Sequence, residues 1–433
     1  MIDVATARRK ARAICPPPVQ ATVATIDALG CVLAEAARAE VAVPPFANSA
    51  MDGYALRATD AAPAPVTLEV VGRVLAGSNA DVRVGPGQAV RIMTGAPIPP
   101  GADAVCMVER TRPAGTARVV IEAPAEPGDH IRPAGDDVGI GDVVLDAGGE
   151  IGPTQLAALI SAGCRHLTVY RPPRVGVIST GDELVDPGAS LGPAQIYDSN
   201  RPMLAALVAE AGCTPIDLGR APDDETALTD RIGDALPRID ALVLSGGVSV
   251  GDVDLVRVVL DRLADGRGEW MQIAIRPGKP FSCAPLPGPR GTVPAFGLPG
   301  NPVSSAVSFE LFVRPSLRTM AGRTTTERPR IRAHAGEAFH RRVDGKLHLV
   351  RVRIERQRAE PAVPSALAGP TGDAAPVLGE WTAWPCAGQG SHQIHSTATA
   401  DGLALVPDGE GVSAGQWVEV VVTGPAALAR PAR

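Results

Sequence analysis

Three Gly-rich polar runs carry most of the residues in this chain that could do chemistry. The first is Ser179-Thr180-Gly181-Asp182-Glu183. The second runs Ser245-Gly246-Gly247-Val248-Ser249-Val250-Gly251-Asp252-Val253-Asp254. The third is Leu298-Pro299-Gly300-Asn301-Pro302-Val303-Ser304. Each follows an apolar run that reads as a strand and leads towards a helix start. Glycine lets a backbone approach a ligand closely, and free N–H groups with the helix dipole favour anions. A tight strand-to-helix turn accounts for any one run alone. Three on one sheet, two with clustered carboxylates, favour a site. The patterns GxxxxGK[ST] and GxGxxG are both missing, which argues against ordinary P-loop ATP chemistry and against a nicotinamide cofactor.

Acidic residues form a second set. Asp182, Glu183, Asp223, Asp224, Asp252 and Asp254 all fall where a loop meets a helix. Mg²⁺ is held by a few carboxylates plus substrate phosphates, so such a set suits it. Capping is the competing role, and for Asp223 and Asp224 alone it is the simpler one. Asp223 is well placed as an N-cap before Leu228 and Ile232. Asp254 suits both roles. The third set is Arg276-Pro277-Gly278-Lys279-Pro280, two cations bracketing a rigid turn. That arrangement suits a phosphate or oxyanion, although a solvated surface turn has the same spacing. Further towards the N-terminus, Asn48–Tyr54 and Arg91–Ala96 are polar loops beside apolar strands, with Asp52 a turn residue before Gly53. No HxxxH or His/Cys cluster supports zinc. His392 and His395 read as surface or fold residues, and no Ser/His/Asp arrangement is defensible.

Regular elements must position these groups. Up to about Val43 the chain reads helical, with Ile26, Leu29, Val32 and Leu33 at helix-like spacing. From Pro65 to His130, short apolar runs (Val66–Val71, Ala89–Ile92, Ala104–Val108, Val119–Ile121) alternate with turns, as in a small β domain. Leu156, Leu159 and Ile160 form a helical stripe ending at Gly163. Strands and helices then alternate: Arg174–Ser179, a helix with Leu204 and Val208, a helix with Leu228 and Ile232, Ala241–Ser245, a helix with Val256 and Val259, Val293–Leu298, and a helix from Pro302. This alternation predicts a parallel sheet covered on both faces. The last hundred or so residues return to strands and Gly turns.

Composition narrows the classes. At 433 residues, 45% hydrophobic and 20% charged, the chain is a multidomain globular protein. A formal charge of −6 and 3% aromatic residues give neither the basic footprint nor the stacking rings of a nucleic-acid binder. The seven cysteines are scattered, odd in number and free of CxxC pairs, so reduced thiols in the cytoplasm are expected. No run approaches the roughly 18 apolar residues of a membrane span, and the N-terminus lacks an apolar signal core.

Seven motifs in order, NSAMDGYA, RIMTGAPIPPGADAV, STGDEL, QIYDSN, SGGVSVGD, RPGKP and GLPGNPVS, resemble the molybdopterin molybdenumtransferase family, that is the MoeA family, which includes the C-terminal part of gephyrin. The resemblance covers nearly the whole chain and thins after about Arg328. It implies a multidomain α/β plus β protein forming a homodimer. A linker domain spans 1–44 and 137–172, an inserted β domain 45–136, a doubly wound molybdopterin-binding α/β domain 173–325 and a C-terminal β-barrel 326–433. It implies Mg²⁺-dependent insertion of molybdate into adenylylated molybdopterin with release of AMP. The expected partners are an adenylyltransferase upstream and molybdoenzyme apoproteins downstream, with neither nucleic acid nor membrane involved. Carried over by motif, Asp52, Thr94, Asp137, Glu183, Asp223 and Asp254 are active-site positions, and Glu183, Asp223 and Asp254 are metal positions. The ligand-binding positions are Ser179, Thr180, Gly181, Asp182, Ser245, Gly246, Gly247, Ser249, Gly251, Asp252, Arg276, Lys279, Pro299, Asn301 and Pro302. The family's cleft lies between the pterin domain of one subunit and the inserted domain of its partner, so Asp52 would act across the dimer. One departure stands out. Gln272 and Arg276 occupy positions that are Lys in some relatives, which bears on molybdate binding. SGGVSVGD alone also fits the adenylyltransferases, but those need only the α/β unit. A non-catalytic gephyrin-like scaffold is the third reading, with Gln272 its best support.

Overall fold

The computed structural model describes residues 1–246, 255–356 and 380–424. It comprises two compact units, Met1–Val19 with Tyr170–Arg433, and Gln20–Val169. At the centre of the larger unit is a six-stranded sheet in the order Thr214–Ala221, Arg174–Thr180, Ala241–Ser245, Gly291–Leu298, Pro280–Gly288, Glu269–Gln272. Its strands are apolar on both faces because helices cover both. In Ala241–Ser245, Ala241 and Val243 enter the core of one face while Leu242 and Leu244 enter the other. Helix Asn200–Glu210 supplies Leu204 and Val208 to the first face. Helices Glu225–Ala235 and Leu255–Leu263 supply Leu228, Ile232, Val256 and Val259 to the second.

The pairings among the first four strands of that order are parallel, but the last two pairings are antiparallel, so Pro280–Gly288 runs against the other five. The expectation of a parallel sheet is therefore corrected at this edge. Only Pro289 and Arg290 separate Pro280–Gly288 from Gly291–Leu298, and a connection that short can join only antiparallel strands. The strand order matters for function. Arg174–Thr180 connects to a strand on one side, and the chain then crosses to Ala241–Ser245 on the other. The crevice at this reversal, beyond the carboxyl ends of the strands, is where open α/β sheets bind ligands. Register makes the three loops emerge together, since Ser179 pairs with Ser245 and Ser245 with Leu298.

After the sheet, Pro302–Ser308, the π-helical Phe309–Val313 and Arg314–Met320 follow without a break. A closed five-stranded barrel then forms from Arg330–Ala335, Leu347–Arg356, Trp381–Pro385, Gly402–Val406 and Trp417–Val422, with Ile275–Arg276 added in parallel to Leu347–Arg356. Arg328 joins barrel to helices, donating to Glu210 and to the buried Glu310 at 2.7–2.9 Å.

In the smaller unit, a six-stranded sheet runs Ala104–Met107, Gly53–Leu56, Gln88–Ile92, Val66–Val74, Arg118–Ile121, Thr111–Pro113. Beside it lies a three-stranded sheet of Gln20–Ala24, His166–Tyr170 and Val32–Leu33, with helix Pro153–Ser161. The helix expected up to Val43 is not there. Only Val4–Ala13 is a full helix, and it packs in the larger unit. Ile26 and Leu29 are exposed, whereas the adjacent Val32 and Leu33 are both buried, so the four share no face. Gly30, at φ 78°, turns the chain between them.

Candidate functional site

A cavity of about 1200 Å³ opens at the carboxyl ends of the parallel strands, lined by all three Gly-rich junctions and the basic turn. Its floor depends on two glycines. Gly246, at φ 109°, lies so close to the Thr180 backbone that a Cβ would overlap the Thr180 carbonyl oxygen. Gly181, at φ 145°, leaves the room into which the Glu183 carboxylate folds. Asn200 ties the junctions together, donating from Nδ2 to Ser245 Oγ and to the Gly300 carbonyl, both at 2.7 Å. Its Oδ1 and the Thr180 hydroxyl are buried with no hydrogen-bond partner among the described residues. A buried polar atom left unpaired costs free energy, and a polar ligand in this cavity is what could satisfy it.

Charge in the cavity comes from both signs. Arg276 and Lys279 line it, and neither has an ion-pair partner among the described residues. Glu183 and Asp223 line it as carboxylates. The expected capping role falls on a neighbour. Asp224 is the N-cap of Glu225–Ala235 and accepts from Ala227 N–H at 2.8 Å, while the Asp223 backbone N–H is held by Asp182 Oδ1 at 3.2 Å. Asp223 is thereby left to face the cavity. No group of three or more metal-ligating side chains occurs among the described residues. Two carboxylates beside two cations nevertheless fit Mg²⁺, which keeps waters and takes substrate phosphates rather than a full protein cage.

Of the residues marked from the sequence, Thr180, Gly181, Glu183, Asp223, Ser245, Gly246, Arg276, Lys279, Pro299, Asn301 and Pro302 line this cavity. Ser179 and Asp182 do not. Ser179 is fully buried and donates to Asp198 Oδ2 at 2.6 Å, and Asp182 is engaged as described. Gly247, Ser249, Gly251, Asp252 and Asp254 lie outside the described residues. Gln272 is exposed, pairs with Pro280 in the edge strand, and is not part of the lining. Other residues join the wall without having been marked: Tyr197 and Asn200 from the QIYDSN run, Ser304, Lys346 and His392. The Asn200 run was visible as a motif. His392 was read as a surface or fold residue, and nothing local separates Lys346 from an ordinary turn lysine.

Asp52, Thr94 and Asp137 belong to the smaller unit and are exposed. Asp52 and Thr94 form one device. The Thr94 N–H and hydroxyl both donate to Asp52 Oδ1, at 2.7 and 2.8 Å, and Oδ2 accepts no hydrogen bond among the described residues. These two bonds hold the Asp52 carboxyl below the usual carboxylate range. Asp137 sits on a loop whose backbone is fixed by its N–H to the Val43 carbonyl at 2.9 Å.

Cysteine takes no part. The seven thiols are free, and burial pushes Cys15, Cys213 and Cys283 up to about 12, leaving them protonated and inert. No helix among the described residues is long and apolar enough to cross a membrane.

Known proteins match along the same lines. Residues 2–163 match the MoeA N-terminal region (domain I and II), 176–319 the probable molybdopterin binding domain, and 376–423 the MoeA C-terminal region (domain IV). The chain is 38% identical over 330 residues to a molybdopterin molybdenumtransferase of Haemophilus influenzae, covering 76% of this chain and 80% of that one. It is 33% identical over 440 residues to molybdopterin molybdenumtransferase 1 of Mycobacterium tuberculosis, covering 97% and 98%. The crystal structure of the molybdopterin biosynthesis MoeA protein from Pyrococcus horikosii superposes with a TM-score of 0.75 at 32% identity, covering 98% of this chain and 99% of that one.

Proposed function

The chain belongs to the molybdopterin molybdenumtransferase family, transferases of molybdenum-cofactor biosynthesis, and from that membership we propose that it inserts molybdenum from molybdate into adenylylated molybdopterin and releases AMP. One observation carries the reading. The cavity at the sheet's reversal point combines two cations that are unpaired among the described residues, two carboxylates, and buried polar atoms that find no partner among those residues.

Each group has a task in that reaction. Arg276 and Lys279 hold the phosphate-bearing part of the ligand or the molybdate dianion, Arg as a fork and Lys as a point charge. Thr180 and Asn200 direct polar atoms at the ligand, and Gly246 admits its close approach. Glu183 and Asp223, with Asp254, are the groups that would hold Mg²⁺. When bound there, the ion neutralises and orients a phosphoanhydride. Catalysis then rests on electrostatic positioning, without a protein nucleophile. Asp52, held ionised by Thr94, and Asp137 are further active-site groups that act in a homodimer. The domain limits at 44, 136, 172 and 325, a cytoplasmic location, an adenylyltransferase as supplier and molybdoenzyme apoproteins as recipients belong to the same proposal.

Incubating the purified protein with molybdopterin and Mg-ATP separates this from adenylyltransferase chemistry. The expected result is no adenylylated pterin. Accumulation of that product without molybdate would contradict the assignment.

A further inference from the structure

The C-terminal barrel reaches the cavity through a cation that no motif marks. Lys346 lines the cavity with its side chain 24% exposed, at the end of a turn anchored from several sides. The Arg341 guanidinium, 1% exposed, donates to the Lys346 carbonyl at 2.7 Å, to Asp344 Oδ1 at 2.7 Å and to Asp408 Oδ1 at 2.6 Å. Asp408 in turn accepts the N–H groups of Asp344 and Gly345, each at 3.1 Å. The Leu347 N–H donates to the Ala274 carbonyl at 2.8 Å, so the barrel strand docks on Ile275–Arg276 and sets Lys346 beside the basic turn. Lys346 Nζ lies 3.6 Å from Asp344 Oδ2, which also bonds His348 Nε2 at 3.1 Å.

A water-exposed turn is ordinarily loose and tolerant of change. Fixing one this thoroughly serves a side chain that must be held in place, as binding groups must be. We propose that Lys346 is a third ligand-binding cation, acting with Arg276 and Lys279 on a ligand that presents two anionic groups, and that Arg341 and Asp344 are its positioning residues. One phosphate is served by two cations. A third suits a phosphoanhydride, or a phosphate beside an oxyanion. The inference rests on the reading of the cavity as an anion site.

The test is calorimetric titration of the full-length protein with inorganic pyrophosphate and, separately, orthophosphate. Lys346→Met is expected to weaken pyrophosphate binding about tenfold, the worth of one charged hydrogen bond, to flatten its salt dependence, and to affect orthophosphate less. Lys346→Arg is expected to restore most of the affinity. Asp344→Asn is expected to weaken binding in the presence of Lys346 and to add nothing in the Lys346→Met background. Unchanged pyrophosphate affinity in Lys346→Met, with affinity lost in Arg276→Ala, overturns this proposal alone. Fully additive effects of Lys346→Met and Asp344→Asn overturn the positioning role. No binding to the wild-type chain overturns the cavity reading, and the third cation with it.

Discussion

Arg276 and Lys279 line the cavity with no ion-pair partner among the described residues, and an anionic ligand is the partner that makes such a pair worth keeping. Arg276→Ala should weaken AMP binding about tenfold or more, since a hydrogen bond to a charged group is worth roughly 1.5–3 kcal/mol. Equilibrium dialysis with AMP checks this. Asp52 gives a different test. Its folded-state value is lowered by the Thr94 bonds, so the carboxylate stays ionised from neutral pH well into the acid range. Asp52→Ala should depress AMP release while leaving the fold intact, and by the same factor from about pH 6 to 8. A loss that changes tenfold across that range would mean that another group titrates. At this scale the sequence was partly legible. Gly-rich junctions and the basic turn advertise themselves locally. Which of Asp223 and Asp224 caps the helix turns on one residue of phase, and only the hydrogen bond to Ala227 decides it. Gln272 looked like a missing charge at the ligand, yet it lies on the exposed edge strand, off the cavity wall.

The sheet and its loops are tuned by tight contacts. Gly246→Ala is expected to cost several kcal/mol or to displace the loop, because its Cβ would meet the Thr180 carbonyl at a φ few L-residues adopt. Thermal unfolding with AMP titration distinguishes the two outcomes. The opposite end of the sheet is pinned by Asp240. It accepts two bonds from Arg171 at 2.7 Å and the Arg174 N–H at 2.8 Å. Partial burial works against its charge, but these donors win and hold the carboxyl below its usual value. A lowered value means stability that is present above the unfolded value and lost as pH falls through the folded one. Asp240→Asn should therefore destabilise by roughly 1–3 kcal/mol at neutral pH, with the gap to wild type closing below about pH 4. Denaturant melts across that range measure it. The parallel strands and their helices were readable from periodicity because two buried faces leave continuous apolar runs. The antiparallel edge and the early strands were not, since short runs such as Val32–Leu33 fit either period and pairing partners lie far away in sequence.

The smaller unit exposes Val41, Ile140, Val143 and Ile160, with Ile140 74% accessible. Exposed apolar side chains are what an association surface buries, and a second copy of the chain is the occupant we propose for these four. Ile140→Asp should shift the protein to monomers in light scattering, and an unchanged mass would count against that surface. The central claim concerns chemistry, and the direct measurement is AMP release from adenylylated molybdopterin with and without molybdate. The account predicts release that requires molybdate and falls in Arg276→Ala and Asp52→Ala. Release at the same rate without molybdate, or none with it, would contradict the account.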